Sequence, residues 1–203
     1  MRYSDYNKSE RTRKFIIEKA APVFNKKGFE GTSLSDLTKA TGLTKGCIYG
    51  NFKNKEEIAV AAFEYNADFI TKNLRKAIEA ADTQMDKLLS YPATFRKIFK
   101  AVQGIGGCPI LNTAVDTDDG HAALHEKVVQ RIQLWKKTMI RIMENGKAAG
   151  EFHPETDAGK TADIIICLVE GGYAMAKTMG SENFMIHAVD EVERIVKSLG
   201  TVR

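Results

Sequence analysis

Apolar residues in this chain return every three or four positions over long stretches, and they almost never alternate. Leu124, Val128, Ile132, Trp135, Met139 and Ile142 are separated by four, four, three, four and three residues. That spacing lays them along one stripe of an α-helix, whereas a half-buried strand would need a period of two. Val189, Val192, Val196 and Leu199 repeat the pattern near the other end. Only four prolines (Pro22, Pro92, Pro109, Pro154) interrupt 203 residues. The pattern excludes sheet-based classes and predicts an all-α chain of about nine helices.

Breakers and caps divide the stretches. Ser9 to Lys27 reads as a first helix with Phe15, Ala20, Val23 and Phe24 on a shared face, ended by Gly28. Pro22 is expected to distort or break it near Ala21, because proline lacks the amide hydrogen that an interior turn needs. Ser33, with Asp36 three residues on, has the spacing of a capping box for a short helix over 34–40. Thr44 caps another that runs to Phe52, and Asn54 with Glu57 opens a long fourth helix striped by Ile58, Ala62, Tyr65, Phe69, Leu74 and Ile78. Met85 to Val102 is a fifth helical stretch, with an interruption expected at Pro92, and Gly104, Gly106, Gly107 and Pro109 mark a break. The long stripe ending at Ile142 leads to a loop over 146–154, and two further helices follow, about Thr156–Met179 and Ser181–Leu199.

Charge separates the same chain differently. Its net value is only +4, yet residues 1–55 hold 12 basic and five acidic side chains, leaving 18 and 21 for the remainder. The first quarter is therefore +7 and the rest −3. Within that quarter, three short helices with a three-residue break at Thr41, Gly42 and Leu43 match a helix-turn-helix unit, whose last helix enters the major groove. Thr44, Lys45, Tyr49, Asn51, Lys53 and Lys55 place hydroxyl, amide and ammonium donors in one block suited to phosphates and base edges. Gly46 permits close backbone approach.

The stretch Gly28-Phe29 through Thr32-Ser33, then Leu37, Ala40, Gly42-Leu43-Thr44-Lys45-Gly46, Tyr49, Phe52 and Lys55-Glu56, resembles the N-terminal domain of TetR-family transcriptional regulators. Gly150-Glu151-Phe152 resembles the family's loop before the last two helices. The resemblance implies a DNA-binding domain over 1–55 and a ligand-binding and dimerisation domain over 56–203. It implies a homodimer paired through the last two helices, a double-stranded palindromic operator as partner, and a small-molecule effector that releases a repressor from DNA. Carried onto this sequence, Lys45 and Cys47 face bases, while Thr32, Ser33, Thr44, Tyr49 and Lys55 touch phosphates. Many relatives carry His before the Phe of the recognition helix, where this chain has Asn51, whose amide still donates but cannot change charge with pH. Phe52 fits packing better than contact.

Effector-pocket walls are expected from the interrupted fifth stretch and the long amphipathic one: Phe95, Phe99, Val102, Trp135, Met139, Met143, Cys167 and Tyr173, with Glu170 among apolar neighbours able to select a cationic group. Cys108, in Gly106-Gly107-Cys108-Pro109, is the thiol best placed for sensing. The segment over 107–111 also resembles the subgroup of the N-ethylmaleimide-responsive repressor, which implies an electrophile- or oxidant-sensing cysteine with Lys177 as its partner. A thiol sensor on Cys108 is thus an alternative on the same scaffold, and a helical adaptor without specific DNA binding is an alternative of another class.

The remaining features argue by exclusion. Cys47, Cys108 and Cys167 are odd in number and lack CxxC spacing, so reduced thiols are expected rather than disulfides or a zinc knuckle. His121 and His125, preceded by Asp118 and Asp119, sit one turn apart, but no third nitrogen or sulfur ligand is near, and no metal or cofactor is expected. GxSxG, GxxxxGK[ST] and HExxH are absent, so no enzyme is expected. The longest apolar run, Ile164 to Val169, is far short of a bilayer span, and the polar start from Arg2 to Lys8 lacks the core of a secretory signal. A cytoplasmic protein with no membrane partner is expected.

Overall fold

The computed structural model describes residues 3–117 and 120–201, with side chains from Lys8 on. Among them are nine helices: α1 (Tyr3–Lys27), α2 (Leu34–Thr41), α3 (Lys45–Tyr49), α4 (Lys55–Glu79), α5 (Gln84–Gly104), α6 (Pro109–Thr117), α7 (Ala122–Ala148), α8 (Ala158–Met179) and α9 (Asn183–Ser198). The fold is all-α, and none of these helices is long and apolar enough to cross a membrane.

Two compact units form. One joins the chain up to Phe69 with Pro109–Val129, and the other joins Ile70–Cys108 with the chain from Gln130 on, so α4 and α7 contribute residues to both. In the first unit, α1 buries Ile16, Ala20, Ala21 and Phe24 against α2 and α6. Of the distortion or break expected near Ala21, the break does not occur: α1 continues as helix through Pro22. Burial of Ala20 and Ala21 beside it offsets the single missing backbone bond, and Asn66 of α4 donates from Nδ2 to the Ala21 carbonyl at 2.9 Å. Phe15 lies outside the buried face, at 38% exposure. The steps 16, 20, 24 keep one helical azimuth, whereas 15 to 20 swings well away from it. The same correction applies to α4: Ile58, Ala62, Asn66, Ile70 and Leu74 form the buried row, while Tyr65 and Phe69 are exposed.

In the second unit, α5 packs on α9 and α9 on α8. The interruption expected at Pro92 is also absent. Leu88, Tyr91, Phe95, Ile98, Phe99 and Val102 are all buried along α5, and that apolar surface outweighs one lost hydrogen bond. The loop after α7 is shaped by close packing. Phe152 is buried against Gly146, where a Cβ would run into its ring. The Glu151 carboxylate accepts from the amides of Gln84 and Met85 at 3.1 and 2.9 Å, completing the cap that Thr83 begins on α5.

Candidate DNA-binding head and buried effector cluster

The short helices of the head are fixed by caps. Ser33 Oγ accepts from the Asp36 amide while Asp36 accepts from the Ser33 amide, the reciprocal pair expected from their spacing. Lys27 and both Ser33 donors hold the Asp36 carboxyl well below the usual carboxylate range. Gly42 ends α2 at φ 68°, a left-handed conformation suited to glycine, and its amide returns to Thr38 O at 2.8 Å. Thr44 Oγ1 then accepts from the Cys47 amide to start α3.

Ile48 anchors α3 in the interior, which leaves Thr44, Lys45 and Gly46 exposed and Cys47 and Tyr49 half-buried. Lys8, Ser9 and Thr12 of α1 border the same shallow depression as Gly46, Cys47, Gly50 and Asn51. A concave strip with exposed ammonium groups and a near backbone suits a phosphate strand and a groove edge. Ser33 remains exposed beside its cap. Thr32 is fully buried and its hydroxyl donates to Gly28 O, so its side chain has no reach to a phosphate. Asn51 is engaged inside the head: Nδ2 donates to Cys47 O at 2.9 Å, and Oδ1 accepts from Ser9 at 3.2 Å. Lys55 is half-buried with its Nζ 4.3 Å from the centre of the Phe29 ring. Phe52 is buried, as packing required.

Arg13 organises this surface and carries no local sequence signal. Its guanidinium donates to Asn51 O at 2.5 Å and to Glu57 Oε1 at 2.7 Å, and it lies 4.0 Å over the Phe52 ring. Glu57 in turn accepts from the Lys53 amide; that bond first, and Arg13 second, hold its carboxyl below the usual range. The end of α3 is thereby tied to α1 and to the start of α4. Elsewhere in the head, Asp116 at the end of α6 accepts from the Phe29 amide at 2.5 Å. Gly28, at φ 73°, leaves the room that this carboxylate occupies. His121 packs its ring on Phe29 at 3.7 Å between centroids. Asp118 and Asp119 lie outside the described residues, and among the described ones no three His, Cys, Asp or Glu side chains are grouped to hold a metal.

The second unit brings most of the expected pocket residues into one aromatic cluster. Trp135 of α7 stacks on Tyr91 at 6.4 Å and meets Phe95 at 5.2 Å, while Tyr173 of α8 meets Phe95 and Phe99 at 6.2 and 5.8 Å. Val102, Met139 and Met143 are buried in the same unit. Tyr91 was not legible as a member, because the adjacent Pro92 reads as a break. Cys167 lies on the exposed side of α8 and walls nothing inside. Cys108 is buried, and its thiol donates to Glu170 Oε1 at 3.2 Å. Burial pushes the Glu170 carboxyl up to about 7, and the Cys108 bond acts in the opposite direction. Burial, then the neighbouring Cys108 and Glu170, pushes the Tyr173 phenol up as well. Lys177, two turns beyond Glu170 on α8, is exposed.

Comparison with known proteins agrees with this geometry. Residues 16–62 match the family described as bacterial regulatory proteins, tetR family, and residues 84–192 match the tetracyclin repressor-like C-terminal domain. A TetR-family transcriptional regulator from Cytophaga hutchinsonii is 42% identical, with 97% of this chain and 98% of that one covered and a TM-score of 0.90. A TetR transcriptional regulator from Chloroflexus aurantiacus is 33% identical over 97% of this chain and all of its own, with a TM-score of 0.91. The HTH-type transcriptional repressor ComR of Escherichia coli is 27% identical over 158 residues, 76% of this chain and 74% of that protein. A capped recognition helix on a basic head, joined to a helical second unit, is thus found in a chain that belongs to the TetR family of bacterial regulators and is a helix-turn-helix, DNA-binding transcriptional regulator.

Proposed function

We propose that the protein is a cytoplasmic, homodimeric repressor that binds a palindromic operator and leaves it when a small molecule enters the cluster around Trp135 and Tyr173. Residues 1–55 serve DNA and residues 56–203 serve dimerisation and sensing. The carrying observation is the outer face of α3, where Thr44, Lys45 and Gly46 are exposed above a buried Ile48. Pairing through the last two helices is supported by the outer face of α8, on which Ile164, Gly171, Met175 and Met179 stand exposed at helical spacing, and by exposed Phe184 and Ile186 on α9. An apolar stripe of that kind on an otherwise polar surface marks an association face. Entry of the effector biases the dimer towards a spacing of recognition helices that no longer fits successive major grooves. A coupling typical of such links weakens operator binding by about 5- to 150-fold.

The test is a gel shift with a palindromic duplex from the gene's own promoter at several salt concentrations. If each subunit neutralises three or four phosphates, the dimer shows a log–log salt slope on the order of −5 to −7. Lys45→Ala, which removes a base-facing ammonium from each subunit, is expected to weaken binding by about 1 to 3 kcal/mol per half-site and to relax the sequence preference there, with an unchanged melting temperature. Affinity indifferent to duplex sequence would leave the helical-adaptor alternative standing instead.

A further inference from the structure

Among the buried side-chain nitrogen and oxygen atoms of the described residues, three have no hydrogen-bond partner: Trp135 Nε1, Glu170 Oε2 and the Tyr173 hydroxyl. All three belong to one cluster. Phe95 touches both Trp135 and Tyr173, and Tyr173 follows Glu170 by one turn on α8. Trp135 is 9% exposed and Tyr173 1%. Folded proteins rarely leave such groups unpaired, and each departure calls for an explanation. Three orphans against shared aromatic walls describe the polar complement of a ligand better than three independent packing faults.

The chemistry of that complement can be read from the atoms. Glu170 Oε2 can accept a hydrogen bond, and among the described residues burial and the Cys108 bond, with no cationic side chain, act on the carboxylate. The faces of Tyr91, Phe95, Phe99, Trp135 and Tyr173 carry negative π density, which favours a positive, planar guest. The indole N–H of Trp135 donates only, so the guest must also offer an acceptor. Met139 and Met143 follow Trp135 at steps of four on α7, both buried, and unbranched thioether side chains adapt their shape most readily to a guest.

We propose that this cluster is a subsite for a planar aromatic organic cation, held by N–H donation to Glu170 Oε2, by the aromatic rings around it, and by an acceptor group on the guest facing Trp135 or Tyr173. The assignment rests on the effector site proposed above and names its ligand class. The raised proton affinity of Glu170 supports it, since a cation that pairs with the carboxylate relieves the penalty that burial imposes.

The experiment uses three molecules of one skeleton and one acceptor but different charge: para-methoxybenzamidinium, para-methoxybenzamide and para-methoxybenzoate. Trp135 is the only tryptophan in the chain, so its fluorescence in the full-length protein reports directly from the cluster. The amidinium is expected to change that signal saturably, with a Kd at least about tenfold below those of the amide and the benzoate. In Glu170→Gln, shown by its melting curve to be folded, the preference should collapse to within about twofold, a charge-specific loss that a general packing defect would not produce. Equal or tighter binding of the neutral or anionic compound, or an undiminished preference in Glu170→Gln, overturns the cation assignment while leaving the cluster as an effector site. No response to any of the three at millimolar concentration overturns both.

Discussion

Glu170→Gln also tests the electrostatics of the second unit without any ligand. In the folded chain burial moves this carboxyl from 4.5 to about 7. Folding thus tightens its hold on the proton, and between those two values the folded state keeps a proton that the unfolded chain has released. Stability therefore falls as pH rises across that window and is level above it. The two values correspond to about 3 kcal/mol lost by about pH 8, at ~1.4 kcal/mol per tenfold change in proton affinity. Glutamine matches the shape of the protonated carboxyl, retains an oxygen for the Cys108 thiol, and never ionises. The variant should be more stable than the parent by about 3 kcal/mol near pH 8, and by less than about 1 kcal/mol near pH 5. For a chain of this size that is roughly 6 to 12 °C in Tm near pH 8. Asp36, Glu57, Glu191 and Glu193 are held low by their partners and pull stability the other way at acid pH. They are common to both proteins and cancel in the difference. Melting curves followed by circular dichroism at two pH values and one fixed protein concentration are sufficient, since dimer stability depends on concentration. An advantage equal at both pH values, or none near pH 8, would show that Glu170 is not an uncompensated buried carboxylate.

Three further outcomes follow from contacts. Arg13→Ala removes two hydrogen bonds and the Phe52 contact; a loss of about 1 to 3 kcal/mol in chemical denaturation is expected, and operator affinity should fall at temperatures where the variant is still folded. Unchanged affinity would mean that α3 keeps its orientation without Arg13. Gly146→Ala drives a methyl into the Phe152 ring, with an expected cost of about 1 to 3 kcal/mol, and Phe152→Leu in the same chain should recover part of it; a melting temperature unaltered by the alanine would contradict the packing. Under native maleimide treatment followed by peptide mass spectrometry, half-buried Cys47 should be labelled before buried, hydrogen-bonded Cys108. Faster labelling of Cys108 would instead favour the thiol-sensor alternative with Lys177, to be pursued through the response of Cys108→Ser to hypochlorite.

What could be read from the chain in advance depends on how far apart the interacting residues lie. The caps at Ser33 and Thr44 and the glycine at 42 act within four residues, so their geometry was legible. The two proline positions misled for the same reason: locally Pro22 and Pro92 argue for a break, while the surfaces that keep α1 and α5 continuous helices come from residues far away in sequence. Phe15, Tyr65 and Phe69 show the limit of apolar character alone, since a row counts as buried only when every step keeps one azimuth, as 16, 20, 24 and 58, 62, 66 do. On α4 the polar Asn66, in the row, is buried and the aromatic Tyr65, beside it in sequence but off the row, is not, so position on the helix outranks residue type. Arg13 lay beyond reach because its partners are 38 and 44 residues away and nothing in α1 distinguishes it from Arg11 or Lys14. The same principle explains the cluster in the second unit. Apolar spacing nominated Phe95, Trp135 and Tyr173 one by one, but only their convergence from α5, α7 and α8 leaves Trp135 Nε1, Glu170 Oε2 and the Tyr173 hydroxyl unpaired together. An unsatisfied group is a property of three-dimensional neighbours, so this set of unpaired atoms could not be read from any single helix.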